Sequence, residues 1–309
     1  MATHDPTLSA LVAEIVRQVL AEQDHGGRQP AAVDDAPIRL GRAAHKPTEP
    51  DPPPAGRPAV TVQRPIPGLD RLVSAQVLHQ LAKATPSRIG IGRAGLRYPT
   101  ATYLALRTDH GLAREAVAAQ PSKGFVAGLG ALELHSRAKD LQTFLLQPNE
   151  GRVLDEGSVQ ALRNHGTAGV DVQIILADGL SAWAAEKNPG LLPALQQALT
   201  AAGFSHGKPI WVHRARIAVA DQIGVELGAK ATVIGLGERP GLGTGDSLSL
   251  YLAWAPKLGQ DNAEKNCISN VRPAGLSVVA AARQAAEILS KARDIGQGGL
   301  AVAAPARTW

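Results

Sequence analysis

The sequence predicts an α/β fold: a doubly wound sheet in the C-terminal half, a mostly helical part ahead of it, and a tethered amphipathic helix ahead of both. Three observations carry that reading. From residue 171 onward, short apolar runs alternate with helical patterns. Between 66 and 150, helical periodicity dominates. Between 24 and 67, prolines crowd a polar stretch. Short apolar runs with helices between them make a parallel sheet covered on both faces.

The elements follow in order. Leu8, Leu11, Val12, Ile15, Val16, Val19 and Leu20 fall on one face of a helix over 8–22. Glu14, Arg17, Gln18 and Glu22 fill the other face. A lone helix of that length is marginal in water and needs a partner for its apolar side. Pro30, Pro37, Pro47, Pro50, Pro52, Pro53, Pro54, Pro58, Pro65 and Pro67 then remove amide donors and fix φ. Neither helix nor central strand forms in such a segment, which reads as a tether. The body begins near Ile66. Its helical patterns lie at 69–84, 100–119, 129–146, 155–165, 191–202, 220–227 and 278–293. Its strand patterns are 171–177 (DVQIILA), 209–213 (PIWVH), 231–236 (ATVIGL) and 247–254 (SLSLYLAW). The implied divisions are 1–23 (helix), 24–65 (linker), 66–150 (helical part) and 151–309 (sheet domain).

Composition excludes several classes. With 309 residues, 44 % hydrophobic and 19 % charged, most of the chain can bury a core. No apolar run reaches the length of a membrane span, and no secretory signal is expected at the start. Cys267 is the single cysteine, so disulfides, cysteine zinc sites and Fe–S clusters are excluded. The net charge is +5 and aromatics are 3 %, with no basic run longer than two, so nucleic acid is not expected as a partner. The histidines show no metal-ligand spacing, and no protein-bound metal is expected.

Four segments have the residue types for chemistry. Gly90, Gly92 and Gly95 fit G-x-G-x-x-G, with Asp109 downstream where a ribose-binding acid belongs. That text supports a dinucleotide site or a glycine-rich loop at a site edge. The preceding apolar stretch is short, and Pro99 interrupts the helix that should follow. Gly235, Gly237, Gly241, Gly243 and Gly245 follow a strand, where glycines let a ligand approach backbone. Glu238 and Arg239 then stand beside a cleft; a surface loop with a local ion pair is the other reading. Asp178-Gly179-Leu180-Ser181 also follows a strand, with Ser181 as an N-cap or the segment as a second loop at the same edge. Around Cys267, Asn266, Ser269, Asn270 and Arg272 are polar for a core turn and suggest a site lining; a small buried thiol and a nucleophile with a histidine nearby in space are the other readings.

Several strings then combine: GRAGLRYPTATYLALRTDH (92–110), SRAKD (136–140), DVQIILADGLSA (171–182), ARIAVADQIGVELGAK (215–230), GERPGLGTGDSLSLYLAW (237–254) and NCISNVRPAG (266–275). In that order, over about 66–300, they resemble the small (light) subunit of ethanolamine ammonia-lyase. The resemblance implies an adenosylcobalamin-dependent enzyme that converts ethanolamine to acetaldehyde and ammonia by a radical mechanism. It implies a Rossmann-like domain in this chain that completes the cobalamin pocket, and a large subunit, a TIM barrel, that holds the substrate. Cobalamin contacts carry over to Ile217, Glu238 and Cys267; Ile217 stands where valine is common, a swap that a main-chain contact tolerates. No catalytic residue carries over. The resemblance implies that the cofactor's own base stays on cobalt, and the absence of D-x-H-x-x-G fits it. The N-terminal helix gains a reading as a tag for microcompartment shell proteins, with a cytoplasmic enzyme where no compartment exists. Two other functions stay open at this point: an NAD-binding enzyme built on Gly90–Gly95, and a cargo adaptor built on the N-terminal helix.

Overall fold

The computed structural model describes residues 75–85, 87–122 and 124–303. The helix expected at 8–22 and the tether at 24–65 lie outside them. The chain divides into two compact units after Tyr103, inside a long helix.

In the first unit, α1 (Ala75–Ala84) buries Leu78. The Gly90–Gly95 segment follows, and it contains no strand. Instead Ala94 and Arg97 exchange backbone hydrogen bonds at 2.8 and 3.3 Å, and the Arg93 guanidinium lies 5.3 Å from the Tyr98 ring centre. A dinucleotide fingerprint needs a buried strand leading into its turn. That strand is missing, so the segment is a local loop. The dividing helix, α2, is Thr100–Ala118.

The second unit is built on six strands: β1 (Leu132–His135), β2 (Val172–Ala177), β3 (Ile210–His213), β4 (Ala231–Gly237), β5 (Leu248–Trp254) and β6 (Lys265–Val271). Their order is β1-β3-β2-β4-β5-β6. The first four are parallel, and every residue of β2 and β4 is buried, as continuous apolar runs require. The pleat divides the core. Ile174, Leu176, Trp211, Val233, Leu250 and Leu252 pack one face against α7 (Leu191–Ala201) and α9 (Val278–Ile295). Leu134, Ile175, Val212, Ile234 and Leu236 pack the other against α5 (Glu156–His165) and α8 (Val219–Leu227). Helices therefore cover both faces.

Local signals set the helix ends. Asp155 Oδ1 accepts from the Ser158 amide at 2.6 Å and starts α5; Ser277 Oγ accepts from the Ala280 amide at 3.3 Å and starts α9. Gly228 and Gly296 end α8 and α9 with φ of 61° and 74°.

The sheet is mixed, not wholly parallel. β5 runs antiparallel to β4, and β6 antiparallel to β5. The β4–β5 connection (238–247) contains no helix, and a parallel crossover needs about a dozen residues or more. The expected helix at 129–146 is also two elements. Gly130 turns with φ of 60°, β1 follows, and Asp140 caps a new helix, α4 (Leu141–Leu146), by accepting from the Thr143 amide at 2.7 Å. Ser181 opens the short helix expected after it, α6 (Ala182–Glu186), and two further helices lie outside the sequence patterns: α3 (Phe125–Gly128) and α10 (Leu300–Ala303). No described helix is long and apolar enough to cross a membrane.

Candidate functional site

The parallel strands deliver three loops to one edge: Asp178-Gly179 after β2, 214–217 after β3, and Glu238 after β4. The carboxyl ends of strands are where open α/β sheets bind ligands. The loops hold each other. Asp178 Oδ1 accepts from the Arg214 amide at 2.7 Å, which fixes Arg214 in the left-handed region at φ 51°. Burial pushes the Asp178 carboxyl up to about 7, against the pull of the Arg214, Gly179 and Ala215 amides. The Leu180 amide donates to Gly237 O at 2.9 Å. At that approach there is no room for side chains. A Cβ on Gly179 would meet Gly237 O at 2.4 Å, and one on Gly237 would meet Ser181 O at 2.1 Å. Ser181 occupies the N-cap position of α6 but makes no capping bond; its hydroxyl donates to Gly245 O at 2.6 Å. That bond ties the glycine-rich β4–β5 loop to the loop after β2.

Between these loops lies a cleft of about 740 Å³, whose lining includes Arg216, Ile217, Asp221, Glu238, Tyr251 and Gln260. Ile217 comes from the loop leading into α8, and Glu238 stands one residue past β4. Tyr251 reaches in from β5 and donates its hydroxyl proton to Glu238 Oε1 at 2.6 Å. Cys267 faces Tyr251 across the β5–β6 ladder, and the Tyr251 and Ser249 side chains influence its thiol. The residue is exposed as a whole, while the thiol itself is half-buried against these neighbours. Of the residues expected from sequence, Ile217 and Glu238 line this cleft together with Tyr251, and Cys267 lies opposite Tyr251 on β6.

Electrostatics limits what this cluster does. Burial pushes the Cys267 thiol up, and the Glu238 charge adds to it. The sulfur is a neutral thiol near pH 7 and not an activated nucleophile. Burial, then Glu238, pushes the Tyr251 phenol well above its usual range, so it stays a proton donor.

The lower wall has residues that sequence reasoning did not single out. Asp221 of α8 pairs with Lys265 of β6 at 2.7 Å, their side chains 2 % and 4 % exposed. Asp221 Oδ1, Gln260 Oε1 and Arg216 Nε are buried with no partner. The Arg216 guanidinium stacks 4.2 Å over Phe144 and donates to Phe144 O at 3.0 Å. Burial, then the nearby Arg239 and Arg152, lowers its pKa. The cleft therefore offers hydrogen-bonding groups of both polarities beside apolar surface. Gln260 lies outside every noted string; Asp221 and Tyr251 lie inside noted strings without a role.

Residues 75–303 match the family described as ethanolamine ammonia-lyase light chain (EutC). The ethanolamine ammonia-lyase small subunit of Ralstonia nicotianae is 41 % identical over 252 residues, covering 78 % of this chain and 89 % of that protein. That of Azotobacter vinelandii is 44 % identical over 224 residues, covering 69 % and 83 %. That of Pseudomonas fluorescens is 43 % identical over 223 residues, covering 69 % and 80 %. With the family matched across both described units and the strand-end cleft in place, the chain belongs to the ethanolamine ammonia-lyase small-subunit family.

Proposed function

We propose that this chain is the small subunit of an adenosylcobalamin-dependent ethanolamine ammonia-lyase, which converts ethanolamine to acetaldehyde and ammonia. In this reading a large subunit holds the substrate. The small subunit's sheet edge, Rossmann-like in its four parallel strands, completes the cofactor pocket. One observation carries the reading: Ile217 and Glu238 line a single cleft, and Cys267 joins it through Tyr251.

The residues fit such a ligand. Cobalamin presents an apolar macrocycle fringed with amides, and the cleft pairs Ile217 with the buried, partnerless Gln260 Oε1, Asp221 Oδ1 and Arg216 Nε. Gly179 and Gly237 let the loops after β2 and β4 close on each other beside the cleft. When bound, adenosylcobalamin supplies the radical chemistry. The chain's residues supply position and shelter. Ile217 gives apolar and main-chain contact. Glu238, held by Tyr251, accepts hydrogen bonds from amide donors. Cys267, a neutral thiol, packs without reacting. The reading assigns no acid–base step to this chain. It assigns the helix expected at 8–22 to docking on microcompartment shell proteins through the apolar face that the sequence pattern gives it.

Cofactor retention tests the reading. The two-subunit complex is expected to keep adenosylcobalamin through gel filtration, and Glu238→Ala and Ile217→Arg are expected to release it. Equal retention by both variants would remove the site from this cleft.

A further inference from the structure

We propose that Glu133, His135 and His213 bind one divalent transition-metal ion of the zinc class at the β1–β3 edge of the sheet. The register creates the cluster. His135 is the direct partner of His213 in the parallel β1–β3 pair, and Glu133 lies two residues earlier on the same face. One ligand atom from each lies within 4.8 Å of the others. His213 Nε2 and Glu133 Oε1 are 2.6 Å apart, and the two imidazoles stack with centres 4.6 Å apart and planes 15° apart. Zinc binds imidazole nitrogen and carboxylate oxygen at about 2.0–2.2 Å. Exposed Glu133 and His135 need only side-chain rotation to reach that spacing about a common ion, while half-buried His213 stays fixed. Two histidines and one carboxylate leave coordination positions for water or another ligand.

The surroundings support His213 as the anchor. Trp211, buried two residues earlier on β3, packs edge-on against its ring. Asp178 Oδ2 stands 3.9 Å behind Nδ1, on the side where metal-bound histidines commonly face a carboxylate. Binding at Nε2 moves the ring proton to Nδ1, where it faces Asp178 in place of the 3.4 Å hydrogen bond that Nδ1 accepts from Trp211 Nε1. Arg214 is the neighbouring cation, and its guanidinium donates to Ala138 O at 3.4 Å. Linear spacing concealed the site, because 213 is far from 133 and 135 in the chain. The expectation of no protein-bound metal rested on that spacing alone.

The test is a Co²⁺ titration of the full chain after chelator treatment, followed by Zn²⁺ displacement. Wild type is expected to develop visible Co²⁺ absorption that Zn²⁺ removes. His135→Gln and Glu133→Gln, both exposed, are expected to lower affinity by about tenfold or more without changing the melting temperature. The chain has nine histidines, so the variants decide the location. Unchanged Co²⁺ binding in the His135→Gln/His213→Gln double variant would place the ion elsewhere and overturn the proposal. So would no bound ion in wild type at millimolar metal.

Discussion

Tyr251 donates to Glu238 Oε1 at 2.6 Å, and through that bond the middle of β5 fixes the carboxylate at the end of β4. Cys267 completes the chain of contacts from β6. Removing the donor leaves Glu238 in place without its orientation. A hydrogen bond to a charged group contributes about 1.5–3 kcal/mol. Tyr251→Phe is expected to weaken adenosylcobalamin binding by the two-subunit complex about tenfold or more, read by equilibrium dialysis. Unchanged affinity would mean that the bond is structural only.

The raised Cys267 pKa has a direct readout. Burial is its main cause and the Glu238 charge a second. Alkylation of the chain by iodoacetamide at pH 8 is expected to be slower than that of an unhindered thiol. Glu238→Gln removes the charge and is expected to speed it. A rate equal to that of free cysteine, or one that Glu238→Gln leaves unmoved, would contradict this account of the cluster.

Lys265 and Asp221 form an ion pair excluded from water. Removing one partner strands the other charge and costs about 3–5 kcal/mol, whereas replacing both with apolar residues is often neutral. Lys265→Met is expected to lower the denaturant midpoint sharply. Adding Asp221→Leu is expected to restore most of it. A double variant no more stable than the single would show that the pair does not act as a unit.

Asp171 sets a pH dependence. Its carboxylate accepts from Lys230 Nζ at 2.8 Å, Ser205 Oγ at 2.7 Å and the Ser205 amide at 2.8 Å. The Lys230 and Ser205 bonds hold its pKa well below the ordinary 3.8. The folded state therefore binds the proton less readily than the unfolded state. The stabilisation is present above the unfolded pKa and is lost as pH falls through that value toward the folded one. Asp171→Asn is expected to cost about 1–2 kcal/mol at pH 7, the Lys230 share being small because that lysine is exposed. The gap between wild type and variant is expected to close below pH 3.8 in urea melts. A gap that stays constant would assign the effect to packing.

Much of this arrangement was legible in sequence, for definite reasons. β2 and β4 are buried on both faces, so their composition alone marks them. Asp155 and Ser277 announce helix starts because capping chemistry is local. β1 was hidden because four residues, LELH, sit within a longer apolar pattern that also fits a helix. β6 was hidden because it is an edge strand: only Ile268 and Val271 are buried, and its polar remainder reads as a turn. Ile217, Glu238 and Cys267 are proposed through resemblance, not through a local pattern. Tyr251, Asp221 and Gln260 join them only when the strands pair and α8 folds back, a juxtaposition that no local pattern encodes. The same holds for Glu133, His135 and His213.

The central claim is that this chain completes an ethanolamine ammonia-lyase and is inactive alone. The most direct measurement is aldehyde release from ethanolamine by this chain, by its large-subunit partner, and by the two together, each with and without adenosylcobalamin. The account predicts release only from the two chains together and only with the cofactor. Cofactor-dependent release by the large subunit alone, at the rate of the mixture, would contradict it.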